Sequence, residues 1–189
     1  GYVQSAKELA KEGLQPVFPC DIYHGVKTEV GKQERDQAHL LAGAMTDEGL
    51  RNLWRLVDRA SENFRFVGRV NWQMLEQCSD GLFATSACIS GLVSKEIMGD
   101  KTDALNRYLK VFGDRFYIEL HCYPSPDQET INLALADVAR ERGIPVIYAT
   151  DAHFACNPGE APIWMADMSF KRLDEIAAGD KLVGWSKSQ

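Results

Sequence analysis

The sequence predicts an α/β fold built on a mainly parallel sheet, open or closed into a barrel. Three observations carry that prediction. Short β-rich runs alternate with helical segments along most of the 189 residues. One of them, residues 145–149 within Ile144-Pro-Val-Ile-Tyr-Ala-Thr-Asp-Ala-His153, is apolar throughout and stops abruptly at Thr150, Asp151 and His153. Such a run is the mark of a strand buried on both faces. The composition, 45% hydrophobic and 25% charged, is that of one ordinary globular core.

In chain order, residues 5–12 alternate alanine, leucine and charge at helical spacing, and Gly13 is a helix stop. A strand is expected over 15–23, with Pro19 as an irregularity and Asp21 at its end. Residues 25–37 are charged and read as an exposed loop or hairpin. A strand over 39–45 follows. Thr46-Asp47-Glu48 then opens a helix whose N-terminal acids suit the helix dipole. Its expected buried stripe is Leu50, Leu53, Trp54 and Val57.

Asn71 is placed to cap a short helix ending at Cys78, and residues 81–87 form a buried strand leading into Cys88. Helices over 91–98 and 102–112, a strand over 115–122 and a helix over 127–142 come next. That last helix starts behind Pro126 and is stopped by Gly143. The strand leading to Asp151 succeeds it, and one or two helices are expected beyond Pro158. There is no fixed-period repeat, no low-complexity tract and no Gly-rich phosphate loop.

A net charge of −6 argues against a broad basic face for nucleic acid on this segment. No apolar run approaches the roughly 20 residues of a membrane span, and no signal peptide opens the chain. Membrane contact is therefore not expected. The five scattered cysteines lack any Cys-x-x-Cys pair and point to a reducing cytoplasm. A chain that starts at Gly1 and ends at Gln189 without a closing element reads as a piece of a longer protein.

Polar residues gather where strands are expected to end: Asp21, Cys88, Glu119, His121, Asp151 and His153. Carboxylate, imidazole and thiolate together suit zinc or a mixed zinc–manganese cluster. His39 stands at the start of its strand, the wrong end for a simple barrel mouth. The competing reading is plain. Asp151 caps a turn, Cys88 is a small buried apolar residue, His39 holds a strand entry, and Glu119 and His121 are half-exposed on one strand face. Cys20 and Cys122 are expected to pack, as are the aromatics Phe64, Phe66, Trp72, Phe116 and Trp164.

The order of several segments then matters. These are Gly13-Leu-Gln-Pro-Val-Phe-Pro-Cys-Asp-Ile-Tyr23, His39-Leu-Leu-Ala42, Thr46-Asp-Glu-Gly-Leu-Arg-Asn-Leu53, Asp80-Gly-Leu-Phe-Ala-Thr-Ser-Ala-Cys-Ile-Ser-Gly91, Phe112-Gly-Asp-Arg-Phe-Tyr-Ile-Glu-Leu120 and Gly143-Ile-Pro-Val-Ile-Tyr-Ala-Thr-Asp-Ala-His-Phe154. In this order and spacing the chain resembles the PHP (polymerase and histidinol phosphatase) domain of bacterial replicative DNA polymerase III alpha subunits, over residues 1–168. Residues 169–189 would begin the link to the polymerase domains.

The resemblance implies a distorted seven-stranded (β/α) barrel, here incomplete, because the family's first two strands and their His-x-His and Thr-Asp-His-Gly motifs would precede residue 1. It implies metal ligands at Asp21 (where the family usually has Glu), His39, Cys88 (from a Ser-Gly-Cys turn, here Ser-Ala-Cys), Asp151 and His153, with Glu119 and His121 as possible lining. Zinc, manganese or magnesium would occupy the intact site, and magnesium would serve the parent polymerase. The implied function is a structural module of a DNA polymerase, in some members also a metal-dependent 3′–5′ exonuclease or phosphoesterase, and its partners are the remaining domains of that chain, DNA and replisome subunits. Two other expectations stand beside it: a stand-alone phosphoesterase of the histidinol-phosphatase kind, and a scaffold that binds no metal.

Overall fold

A computed structural model of the chain describes residues 2–17, 19–25, 37–62, 64, 67–121, 125–149, 162–167, 169–177 and 179–181. Two compact units are present, residues 1–151 and 152–189. The fold of the first is α/β. Its strands are β1 (Pro19–His24), β2 (Ala38–Ala44), β3 (Arg69–Val70), β4 (Leu82–Thr85), β5 (Phe116–His121) and β6 (Val146–Ala149). They form one sheet in the order β3-β1-β2-β4-β5-β6. Its helices are α1 (Tyr2–Lys11), α2 (Asp47–Glu62), α3 (Trp72–Cys78), α4 (Leu92–Ile97), α5 (Ala104–Phe112) and α6 (Pro126–Arg142).

The pairings β1–β3, β4–β5 and β5–β6 are parallel, whereas β2 runs antiparallel to both β1 and β4. The expectation of a mainly parallel sheet thus holds except at β2. That one reversed strand matters most for the site.

Alternate strand residues face opposite sides. Ala38, Leu40, Ala42, Leu82, Ala84, Phe116 and Ile118 are wholly buried and share one core with Leu56 of α2, Leu75 of α3, Tyr108 and Phe112 of α5 and Leu135 of α6. Each large side chain so buried contributes about 1.5–3 kcal/mol. The other parity carries His39, Leu41, Thr85, Tyr117 and Glu119, on the face away from that core.

Helix ends follow local chemistry. Thr46 Oγ1 accepts the Gly49 N–H at 3.0 Å, Asn71 Oδ1 accepts the Met74 N–H at 2.9 Å, and Ser125 caps α6 with Pro126 in its first turn. Gly143 closes α6 at φ 64°, where a side chain would be strained.

Several expectations are corrected. β1 opens at Pro19 and not at residue 15, because proline has no N–H for the ladder and can only begin a strand. Asp21 is consequently inside β1, not at its end. The stripe of α2 is out of phase with the expected one: Gly49, Asn52, Leu53, Leu56 and Ala60 are buried, while Leu50, Trp54 and Val57 are exposed. Gly49 lies against Gly81, whose carbonyl oxygen would be 1.9 Å from any added Cβ, and Asn52 Nδ2 donates to the Asp80 carbonyl at 2.9 Å. Those contacts fix the phase. Of the aromatics expected to pack, Trp72 and Phe116 are buried and Phe64 is 66% exposed. Glu119 and His121 share a face as expected but are buried, not half-exposed.

In the second unit, β7 (Pro162–Trp164) and β8 (Phe170–Arg172) pair antiparallel where helices were expected. Asp167 Oδ1 holds the turn, accepting from the Ser169 N–H at 3.0 Å and its hydroxyl at 2.6 Å. Strands of three residues are too short to reveal a period. The charged segment 27–36 lies outside the described residues.

Candidate functional site

The reversal of β2 resolves the position of His39. In a strand running against its neighbours, the first residues lie beside their neighbours' carboxyl ends. His39 pairs with Tyr23, next to the last residue of β1, and bridges to Gly91 in the turn after β4. The histidine expected at the wrong end of the sheet is therefore at the same end as the thiol.

Two of the predicted ligands each approach the Nδ1 of a third, His39. His39 Nδ1 is 3.4 Å from Asp21 Oδ2 and 3.6 Å from Cys88 Sγ. The Tyr23 ring stands edge-on to the imidazole, with centroids 5.1 Å apart. Asp21 is half exposed and His39 is 28% exposed, so solvent and ligands reach the pair. Just before Asp21, burial and the adjacent carboxylate push the Cys20 thiol up from its ordinary value, which keeps it protonated.

The turn that carries Cys88 is built from small residues and hydroxyls. Ala87 adopts φ 56°, in the left-handed region. The Cys88 carbonyl accepts the Gly91 N–H at 2.8 Å and the Ser94 hydroxyl at 3.2 Å, and the His39 N–H donates to Ser90 O at 3.2 Å. Gly91 is required by close approach: a Cβ there would sit 2.1 Å from the Ser86 carbonyl oxygen.

Glu119 and His121 form a second, buried cluster on the same sheet face. His121 Nε2 donates to Glu119 Oε1 at 3.0 Å, and the Thr85 hydroxyl donates to Glu119 Oε2. Burial alone would raise the Glu119 pKa. The hydrogen bonds from His121 and Thr85 and the nearby imidazole charge outweigh it, and the carboxyl is held below its usual range. Asn132 of α6 anchors His121 from behind, accepting its N–H at 3.2 Å and donating to its carbonyl at 2.8 Å.

Asp151 and His153 lie outside the described residues. Among the described residues, no three His, Cys, Asp or Glu side chains converge closely enough to hold a metal ion by themselves. Sequence reasoning named Asp21, His39 and Cys88 but missed Thr85 and Ser86. The signal was present: two adjacent hydroxyls stand just ahead of the Ala87-Cys88 turn. A cleft of ≈ 820 Å³ opens elsewhere on the same face, lined by Pro16, Val17, Leu41, Phe83, Tyr117 and Ile147 among others. Its walls are mostly apolar, with Gln15, Thr46 and Asp47 as polar exceptions, and it includes none of the candidate ligands.

The PHP domain family matches residues 1–122. Among curated relatives named DNA polymerase III subunit alpha, that of Borreliella burgdorferi is 34% identical over 163 residues, covering 82% of this chain and 14% of its own length. The Aquifex aeolicus relative is 28% identical over 191 residues, 92% of this chain and 16% of its own. The relative from Thermus aquaticus is 29% identical over 164 residues, 82% of this chain and 13% of its own. The chain thus spans only a small part of the relatives it matches.

Proposed function

The chain belongs to the PHP domain family, and from that premise we propose that it is the PHP module of a DNA polymerase III alpha subunit, working in cytoplasmic DNA replication. Template-directed synthesis, with its magnesium, belongs to further domains of such a subunit, with DNA and replisome subunits as partners. The module is a distorted (β/α) barrel whose sheet has six strands in this chain; it extends to residue 168 and leads through 169–189 toward the polymerase domains. Its own chemistry is metal-dependent phosphoester hydrolysis at a DNA 3′ end. The names of the relatives favour this over a stand-alone phosphoesterase. No described helix is long and apolar enough to cross a membrane.

The observation that carries the metal reading is the placement of His39 between Asp21 and Cys88 by the reversed β2. Two ligands on one tetrahedral ion lie about 3.3–3.6 Å apart, given metal–ligand lengths of about 2.0–2.3 Å. The separations of 3.4 and 3.6 Å at His39 Nδ1 fit that spacing. Carboxylate, imidazole and thiol suit zinc or manganese. Bound divalent cations would acidify a water and neutralise charge developing on a phosphoryl oxygen. Asp21, His39 and Cys88 would be among their ligands, on the sheet face that carries His39.

Elemental mass spectrometry on the protein with its natural termini tests this. Zinc or manganese should copurify in stoichiometric amount and fall in His39→Ala and Cys88→Ala. A wild-type protein without metal, or full occupancy in both variants, overturns the assignment. A 5′-labelled single strand should then be shortened from its 3′ end by the wild type and spared after chelation.

A further inference from the structure

Two hydroxyls stand three and two residues before the site thiol, in Thr85-Ser86-Ala87-Cys88. Both are engaged by β5. Ser86 Oγ accepts the Glu119 N–H at 2.9 Å, and the Ser86 N–H donates to the Tyr117 carbonyl at 3.0 Å. The Thr85 hydroxyl donates to Glu119 Oε2 and accepts the Ala87 N–H at 3.0 Å. Thr85, Ser86, Glu119 and His121 are all at least 95% buried.

Ala87 needs this support. A non-glycine residue in the left-handed region persists only where its surroundings over-determine it. A threonine hydroxyl is a rotor with one proton and two lone pairs. A buried carboxylate fixes that proton, because hydrogen bonds to an ionised acceptor are the stronger kind. The lone pair is then aimed at the Ala87 N–H. His121 steadies the carboxylate from its other oxygen, and Asn132 steadies His121.

We infer that Glu119, oriented by His121, is a positioning residue for Cys88: through the Thr85 hydroxyl it holds the Ala87 turn that presents the thiol to His39. The consequence for metal affinity rests on the function proposed above, while the geometric claim stands on the hydrogen-bond relay. Glu119 is accordingly not assigned as a ligand.

The test is site-resolved alkylation of the full-length, metal-stripped protein with iodoacetamide, read peptide by peptide by mass spectrometry, with buried Cys78 as internal control. Thr85→Val keeps the shape and removes the hydroxyl. It should speed alkylation at Cys88 on the order of tenfold, the effect of losing about one buried hydrogen bond, and leave Cys78 unchanged. Thr85→Ser should restore the wild-type rate, and Glu119→Leu should behave as Thr85→Val does. An unchanged Cys88 rate in Thr85→Val or in Glu119→Leu overturns the inference. So does a parallel rise at Cys78, which would make the relay a general support of the core. Because metal is absent throughout, failure of the metal assignment would show separately, as a wild-type protein that binds none.

Discussion

His24 and His39 sit on paired strands, one residue out of step: Tyr23 faces His39, and His24 faces Ala38. That single step puts them on opposite faces of the sheet. His24 is wholly buried, its Nδ1 2.7 Å from the Tyr108 hydroxyl and its ring edge-on to Trp72 at 4.3 Å. Burial, helped by the Arg107 charge, pushes its pKa down to about 3. The same burial raises the Tyr108 phenol, so Tyr108 remains the donor in their bond. His39 is part exposed and lies between a carboxylate and a thiol. Residue type does not separate a structural histidine from a ligand-like one. The face of the strand does.

The largest expected effect breaks or upholds that contrast directly. His24→Ala should cost about 3 kcal/mol, combining a core cavity with an unsatisfied buried Tyr108 hydroxyl. His39→Ala should cost less than about 1 kcal/mol, since it removes a part-exposed side chain that no core packing depends on. Urea unfolding of the two variants decides it. Equal costs would mean that both histidines are structural.

Next in size is the pH dependence. The His24 pKa is lower in the folded state than its ordinary 6.5, so the unfolded chain binds the extra proton. Its contribution is fully present above pH 6.5 and is lost as pH falls toward 3. The slope approaches about 1.4 kcal/mol per pH unit inside that window. Glu119 adds to the loss at lower pH, because its depressed carboxyl stabilises the fold above the unfolded value of 4.5 and ceases to as pH drops through the folded one. Unfolding midpoints between pH 7 and 5 should decline in the wild type and stay flat in His24→Ala. A decline of the same slope in that variant would place the sensitive group elsewhere.

Much of the scaffold was legible because its signals are local. Asn71, Pro126 and Gly143 mark helix ends by chemistry that acts within a few residues, and each does so in the structure. The apolar runs of β4 and β5 likewise announced themselves; that of β6 marked a strand, but burial on both faces is not found, because β6 is the last strand of the sheet and leaves Val146 and Tyr148 exposed. The direction of β2 was not legible, since a strand reads alike whichever way its neighbours run, and it was this that made His39 look misplaced. The phase of α2 was ambiguous for a similar reason. Leu50, Trp54 and Val57 keep helical spacing, but Gly49 and Asn52 meet Gly81 and Asp80 from a distant part of the chain. Asp21, His39 and Cys88 could be named as types. Their convergence depended on register. Thr85 and Ser86 went unread because a hydroxyl inside an apolar run looks like a tolerated strand residue until its partner on β5 is known.

The smallest expected effect lies on the site face and sharpens the contrast. Ala87 holds φ 56°, a conformation that favours glycine. That conformation costs alanine about 1–2 kcal/mol, and glycine gives back about 0.4–1 kcal/mol through its freer unfolded chain. Ala87→Gly should therefore stabilise the protein by about 0.5–1 kcal/mol, a rise of a few degrees in thermal midpoint. Cys88 alkylation should stay at the wild-type rate, because the Thr85 hydroxyl can still accept the residue-87 N–H. A gain in stability would mean that the Cys88 turn carries strain the His24 side of the sheet does not. A loss would mean that packing of the buried Ala87 methyl outweighs its backbone strain, so that the turn is held by its core contacts as firmly as His24 is.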